Sequence, residues 1–192
     1  MFDIFKKYVA VQATLTNDEF ERICTLSASK RIAKQEFILK EGEWAGTTHF
    51  VTKGLLRLFR IDQKGNAHIL KFAHENRWIN DRESYLTGNP ASANIEAIED
   101  SEILSWKKTD FDLLLNEIPA FKQLMKNLSA KNQIANQNRI YASISQSAEE
   151  KYHQFIEKNQ TIVNRVPLHM VASYLGLSRE TLSRIRRQAL SK

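Results

Sequence analysis

The chain has 192 residues, enough for one large domain or two small ones, and its 42% of hydrophobic residues is sufficient to form a core. No apolar run approaches the ~20 residues of a membrane-spanning helix, and the charged N-terminus does not fit a secretory signal, so we expect a cytoplasmic protein without membrane association. A single cysteine excludes an intrachain disulfide and a four-cysteine iron–sulfur cluster.

The first predicted element is a short amphipathic helix over residues 15–29, with Thr16 or Asn17 as its N-cap and Glu19 near the cap. From residue 34 to residue 107 the pattern changes to short β-rich segments separated by turn residues. The predicted strands are residues 36–39, 48–51, 55–61, 68–72, 93–98 and 101–106. Many short strands with regular turn signals indicate a sandwich or barrel, and a jelly roll fits best with the flanking helices.

A helical region begins at Thr109, and Pro119 separates a short helix from a long one. Residues 120–145 contain no Pro or Gly, and their apolar residues recur near every 3.5 positions. A helix of that length is ~39 Å long. Because one small β domain cannot cover it, we expect a partner helix; the alternative is a single long helix packed on its own domain. The predicted dimer contacts are Phe121, Met125, Leu128 and Ala135.

Residues 171–187 have the pattern of a helix-turn-helix, preceded by an amphipathic helix over residues 148–163. Two helices that cross at close range need apolar residues at helical spacing, which are Val171, Leu175, Leu182 and Ile185. Gly176 lies at the turn, where a positive φ is inexpensive only without a Cβ. Ser178 is a good N-cap for the second helix, whose N-terminal arginines suit base reading in the major groove.

The distribution of charge also favours nucleic-acid binding. Residues 164–192 contain six basic residues and one acidic residue, a net charge of +5, whereas the other 163 residues carry +1 of the total of +6. A nearly neutral body with a basic tail is typical of a sensor joined to a nucleic-acid binder. The alternative is a solvated basic helix in a small helical cap.

Taken in order, these elements resemble the Crp/Fnr family, the catabolite activator type of bacterial transcription regulator. The resemblance is strongest in the Ser-Arg-Glu-Thr-Leu-Ser-Arg segment of residues 178–184, and it extends to residues 38–43, 51–58 and 96–101. It implies an α+β fold in which a jelly roll of the cyclic-nucleotide-binding type precedes a long dimerisation helix and a helix-turn-helix domain. The corresponding predicted boundaries are residues 1–115, 116–146 and 147–192.

The resemblance implies a homodimer that binds near-palindromic double-stranded DNA, with half-sites ~34 Å apart and RNA polymerase as a further partner. It assigns base contacts to Arg179, Glu180 and Arg184, and the chemistry agrees, because Arg can bind guanine with two hydrogen bonds and Glu can accept from cytosine. Candidates for phosphate contacts, which position rather than specify, are His169, Ser178, Thr181, Ser183 and Arg187. Arg187 and its neighbour Arg186 could equally face solvent.

The segment that matches the family's phosphate cassette departs from it. The family's glycine, its ribose-binding glutamate and its phosphate-binding arginine fall on Asn80, Asp81 and Ala91, and only Ser92 is retained. A buried cyclic phosphate needs a charged partner, so we predict that cyclic AMP does not bind tightly, and we expect no cofactor. The predicted effector pocket consists of Trp78, Asn80, Asp81, Tyr85, Ala91 and Ser92. We expect this pocket either to hold a small molecule other than cyclic AMP or to be filled by its own side chains.

Many family members continue past the recognition helix into a β wing, whereas this sequence ends at Lys192. We expect the phosphate contacts of a wing to be lost, or replaced by Arg165 and the loop of residues 159–167. Two other functions stay open: a cyclic-nucleotide-responsive activator, and a nucleotide-binding module that acts on a protein partner. An enzyme is the weakest hypothesis, because the sequence has no nucleophile elbow, P-loop or metal-ligand spacing.

Overall fold

The computed structural model describes the backbone of residues 1–190 and the side chains of residues 1–188. Within this range the helices are α1 (Phe2–Ala10), α2 (Asn17–Thr25), α3 (Arg82–Thr87), α4 (Lys108–Glu117), α5 (Pro119–Ser145), α6 (Ala148–Lys158), α7 (Leu168–Leu175) and α8 (Arg179–Leu190). The strands are β1 (Ala28–Ile32), β2 (Phe37–Leu39), β3 (Thr47–Lys53), β4 (Leu56–Ile61), β5 (Ala67–Ala73), β6 (Arg77–Ile79), β7 (Asn94–Ala97) and β8 (Ser101–Lys107).

The strands form two antiparallel four-stranded sheets, with the orders β1-β8-β3-β6 and β2-β7-β4-β5. The inner faces of the sheets share a buried apolar cluster that includes Val51, Leu56, Ile79, Ile95 and Ile103. The predicted α+β class, with a jelly roll ahead of a long helix and a helix-turn-helix, is therefore confirmed.

Two strands and two helices, β1, β6, α1 and α3, were not predicted from the sequence. Strand β1 is exposed at four of its five positions, so it lacks the apolar alternation that identifies a half-buried strand. Helix α1 buries only Phe5 and Val9, one turn apart, against the rest of the molecule. The position of α1 depends on a tertiary contact, which a local sequence pattern does not reveal.

An aromatic core lies between one sheet and helices α1, α2, α4 and α5. Trp106 is completely buried, and its Nε1 donates a 2.9 Å hydrogen bond to the carbonyl of Ile23. Phe5, Phe50 and Phe121 are fully buried in the same cluster. The N-terminal part of α5 is thus fixed to the β domain through Phe121.

A histidine occupies the polar end of the jelly-roll interior. His49 is 5% exposed, with Nδ1 2.8 Å from Oγ of Ser105 and Nε2 3.0 Å from Oγ1 of Thr47. Burial, and secondarily the charge of Lys30, lower the pKa of His49 from 6.5 to about 4. The folded protein therefore keeps this imidazole neutral between pH 6.5 and 4, whereas the unfolded chain protonates it.

This difference predicts a pH dependence of stability. The stabilisation is fully present above pH 6.5 and is lost as the pH falls toward 4, because the unfolded state then binds the additional proton. Between pH 7 and pH 4.5 we expect the wild type to lose about 2 kcal/mol more unfolding free energy than His49→Gln. Urea unfolding at both pH values measures it, with the exposed His153→Gln as control. Equal losses in wild type and His49→Gln would contradict the assignment.

Candidate nucleic-acid interface and effector pocket

The helix-turn-helix is built from α7, a three-residue turn and α8. Gly176 ends α7 with φ +67°, a left-handed conformation that favours glycine, as the sequence predicts. The amide of Leu177 then donates to the carbonyl of Ala172 at 2.9 Å and closes the turn. At the start of α8, Oγ of Ser178 accepts a 3.1 Å hydrogen bond from the amide of Thr181, which is an N-cap contact.

The apolar faces of the two helices meet in a buried cluster. Val171, Leu182 and Ile185 are 0–3% exposed, and Tyr152 and Phe155 of α6 pack with them. The rotation of α8 about its own axis is fixed by Leu182 and Ile185, one turn apart. Arg184, which lies between them, is exposed and faces away from the core.

The three predicted base-contact residues lie on the outward, solvent-exposed surface of α8, which we call its outward face. Arg179, Glu180 and Arg184 are exposed in the first two turns of α8. The pKa of Glu180 is lowered, first by its own backbone amide and then by Ser178 and Arg179, which keeps the carboxylate charged. The N-terminal half of the helix thus offers two guanidinium groups and one acceptor to a ligand.

The residues predicted to contact phosphates differ in their exposure to solvent. His169 is exposed near the start of α7, and Ser178 and Arg187 are exposed on α8 or at its N-cap. Thr181 and Ser183 are half-buried, and Oγ1 of Thr181 accepts a 3.1 Å hydrogen bond from Ser178.

Arg165, which was expected to replace the phosphate contacts of a wing, has its side chain directed at two glutamates. Its guanidinium contacts Glu75, with Nη2 2.9 Å from Oε1 and Nη1 3.0 Å from Oε2, and it also contacts Glu99. Neither glutamate was predicted as its partner. In this arrangement the guanidinium of Arg165 is bound to two carboxylates of the β domain.

The long helix divides the predicted dimer contacts between two environments. Phe121 is fully buried in its own core, and Met125 and Leu128 pack partly against that core, whereas Ala135 is exposed. From residue 130 to residue 138 every side chain of α5 is exposed. The exposed apolar residues that sequence analysis did not select are Ile134, Ile140, Tyr141 and Ile144, at 57%, 60%, 68% and 81% exposure.

Asp81, which matches the family's ribose-binding glutamate, is an N-cap in this structure. It is 4% exposed, and its carboxylate accepts hydrogen bonds from the amides of Glu83, Ser84 and Ser92. Ala91 is buried, and its amide donates to the carbonyl of Glu43 at 2.7 Å. Asp81 and Ser92 are in contact, but the carboxylate is already occupied by backbone donors.

Two basic residues of the second sheet lie near this segment and were not predicted. Arg60 of β4 donates from Nη2 to Oε2 of Glu83 at 3.0 Å and also to Oγ of Ser92. Lys71 of β5 donates to the carbonyl of Trp78 in the opposite sheet at 2.7 Å, and burial, followed by the charge of Arg77, lowers its pKa to about 8. Arg60 lies 32 residues before Ser92, so no local motif could reveal their contact.

The side chains of other predicted pocket residues lie away from Asp81 and Ser92. The Trp78 ring lies in the aromatic core, with its centroid 5.2 Å from that of Phe50. The Tyr85 ring lies under Nζ of Lys108, 4.6 Å from the centroid. Asn80 is half-buried. The structure therefore groups Asp81 and Ser92 with Arg60 and Glu83, and it does not bring the Trp78 and Tyr85 rings to that group.

Among the described residues, no three side chains of His, Cys, Asp or Glu come together as a metal site. Within the same range, none of the helices combines the length and the apolar character needed to span a membrane.

Residues 29–117 match the family model of the cyclic nucleotide-binding domain. The transcriptional activatory protein AadR of Rhodopseudomonas palustris is 24% identical over 179 residues, which cover 88% of this chain and 72% of AadR.

Solved structures share the fold at low sequence identity. The c-di-GMP-responsive global regulator CLP of Xanthomonas campestris matches with a TM-score of 0.75 at 12% identity, over 92% of each chain. FixK2 of Bradyrhizobium japonicum matches with a TM-score of 0.74 at 19% identity, over 86% of this chain and 85% of FixK2. A Crp/Fnr-family regulator of Eubacterium rectale matches with a TM-score of 0.68 at 16% identity, over 92% of this chain and 84% of that one.

Proposed function

We propose that this chain is a transcription regulator of the Crp/Fnr family and that it binds double-stranded DNA sequence-specifically as a homodimer. The observation that carries the proposal is the outward face of α8, where Arg179, Glu180 and Arg184 are exposed together above a buried apolar face. Such a helix fits the major groove, and the three side chains match the donor and acceptor patterns of guanine and cytosine.

The test is selection of bound duplexes from a random DNA pool by the purified protein at physiological salt. We expect a near-palindromic consensus with half-sites about one helical turn apart. Equal affinity for the selected duplex and for random DNA would reject the proposal. Contact with RNA polymerase belongs to the proposal only through the family, since no described surface identifies it.

The homodimer is supported by the two apolar faces of α5. At 100° per residue, Phe121, Leu124 and Ala142 lie on one side of the helix and are buried against their own protomer. Ile134, Ile140, Tyr141 and Ile144 fall within about 120° on the opposite side and are exposed. An apolar helix face of this kind fits the same face of a second copy of α5.

For the effector pocket, we propose that cyclic AMP is not the ligand. Asp81 is occupied as an N-cap, Ala91 supplies no charge, and Arg60 near Ser92 is paired with Glu83. A cyclic phosphate would have to compete with the Glu83 carboxylate for Arg60 and Ser92.

The corresponding prediction is that calorimetric titration with cyclic AMP or cyclic GMP shows no saturable binding in the micromolar range. Glu83→Gln removes the internal carboxylate charge, and Glu149→Gln, at an exposed position of α6, serves as the control for loss of a negative charge. Saturable micromolar binding to the wild type would favour the alternative, a cyclic-nucleotide-responsive activator.

A further inference from the structure

The helix-turn-helix lies against the edge strand of one sheet of the jelly roll. Strand β5 ends the order β2-β7-β4-β5, so part of its backbone has no strand partner within the described sheet. Oγ of Ser173, on α7, accepts a 3.0 Å hydrogen bond from the amide of Ile69 and donates a 2.7 Å hydrogen bond to the carbonyl of Ala67. Arg139 of α5 donates to the carbonyl of Leu70 on the same strand. Side chains from two helices thus satisfy an edge that would otherwise be open.

A second contact joins the same two parts of the chain through charge. Arg165 precedes α7 and is held by Glu75 and Glu99 of the β domain, with its side chain 28% exposed. Glu75 is itself fixed, because its Oε1 accepts a 2.8 Å hydrogen bond from the amide of Gly54. Gly54 has φ +95°, and a Cβ there would lie 2.6 Å from Cα of Ser101, so the site requires glycine.

Apolar packing continues across this contact. Leu55 and Ile98 of the β domain belong to the same buried cluster as Leu182 and Ile185 of α8. The ring of Phe72 on β5 lies 5.3 Å from that of Tyr174 on α7, centroid to centroid. The core that orients α8 is therefore shared with the β domain, while the outward face of α8 stays exposed.

We propose that Arg165 is a positioning residue for DNA binding. Together with Ser173 it holds the helix-turn-helix on β5 in one orientation, so that the two recognition helices of a dimer are presented at a fixed spacing. Arg165 itself does not touch the DNA. The inference rests on the proposed function. Its physical basis is preorganisation, since a unit that is already oriented loses less conformational freedom when it binds.

The competing assignment for Arg165, a direct phosphate contact, makes an opposite prediction. In Glu75→Gln/Glu99→Gln, Arg165 keeps its charge but loses both charged partners. A positioning role predicts that the affinity for the selected duplex falls about tenfold, as in Arg165→Gln. A phosphate contact predicts instead that release of the guanidinium strengthens binding and steepens the salt dependence. Arg165→Lys separates the two further, because lysine keeps a phosphate contact but not the contact with two carboxylates.

The measurements are Kd for selected and random duplexes across a salt series, together with hydrogen exchange at the Ile69 amide. Arg165→Gln, Glu75→Gln/Glu99→Gln and Ser173→Ala are all expected to speed exchange at Ile69 and to weaken specific binding, with thermal unfolding and dimerisation checked for each. Arg31→Gln, whose side chain is 86% exposed on β1, is the control for loss of a charge. Unchanged exchange at Ile69 in Arg165→Gln and in Glu75→Gln/Glu99→Gln would show that Arg165 does not hold the helix-turn-helix on β5, whether or not the wild type selects DNA. Stronger binding by Glu75→Gln/Glu99→Gln overturns the positioning role while leaving the proposed function intact.

Discussion

Replacing both Arg179 and Arg184 by alanine is expected to abolish discrimination between the selected duplex and random DNA. Each bidentate contact between arginine and guanine is worth ~1–3 kcal/mol, so two lost contacts should reduce specific affinity on the order of a hundredfold or more. Both side chains are exposed and lie outside the buried cluster, so folding and dimerisation should be unchanged. Fluorescence anisotropy with each duplex at physiological salt measures the effect.

A charge-matched control is needed, because any loss of two positive charges weakens nucleic-acid binding. Arg31→Ala/Lys34→Ala removes the same charge from exposed positions in and after β1. We expect this variant to retain the ratio of the two affinities. If the arginine variant weakens both duplexes by the same factor as the control, α8 contributes charge alone and the assignment of base contacts fails.

The helix-turn-helix could be predicted in detail because its determinants are local. The glycine at position 176, the cap at Ser178 and the apolar positions of α7 and α8 all lie within residues 171–187 and obey rules of short range. The strands with alternating apolar residues were predictable for the same reason. In contrast, β1 and α1 are defined by what they pack against, and their sequences alone do not identify them.

In the segment of residues 78–92, the directions of several side chains depend on contacts with residues distant in sequence. Alignment with a motif selected Trp78 and Tyr85 by position, but the direction of each ring depends on the aromatic core and on Lys108. Arg60 reaches Ser92 from another strand, and Arg165 reaches Glu75 across 90 residues. Contacts of such sequence separation require the fold before they can be recognised.

The apolar residues of α5 are covered by different surfaces along its length. A 3.5-residue rhythm in α5 correctly identified a helix with apolar residues to bury, but a rhythm does not say which surface covers each of them. Phe121 is buried inside its own protomer, whereas Ile134 and Tyr141 are exposed. The dimer contacts that we propose are therefore shifted toward the C-terminal half of the helix.

Ile134→Glu/Tyr141→Glu is expected to convert the homodimer to a monomer. The two residues are seven positions apart, on the same side of α5, and two copies of the helix would bring four carboxylates into a seam that is apolar in the wild type. Because both side chains are exposed in the protomer, at 57% and 68%, the protomer should keep its thermal stability. Sedimentation velocity should show half the mass, and affinity for the palindromic duplex should fall on the order of a hundredfold, because one monomer engages one half-site.

The matched control is Asn136→Glu/Ser143→Glu, which adds the same charges with the same seven-residue spacing. These positions are exposed and lie about 160° around the helix from Ile134 and Tyr141. This control should stay dimeric and bind the palindrome with nearly normal affinity. If the first variant remains a dimer while the control dissociates, the partner helix packs on a different side of α5. If both remain dimers, the two copies associate through another surface.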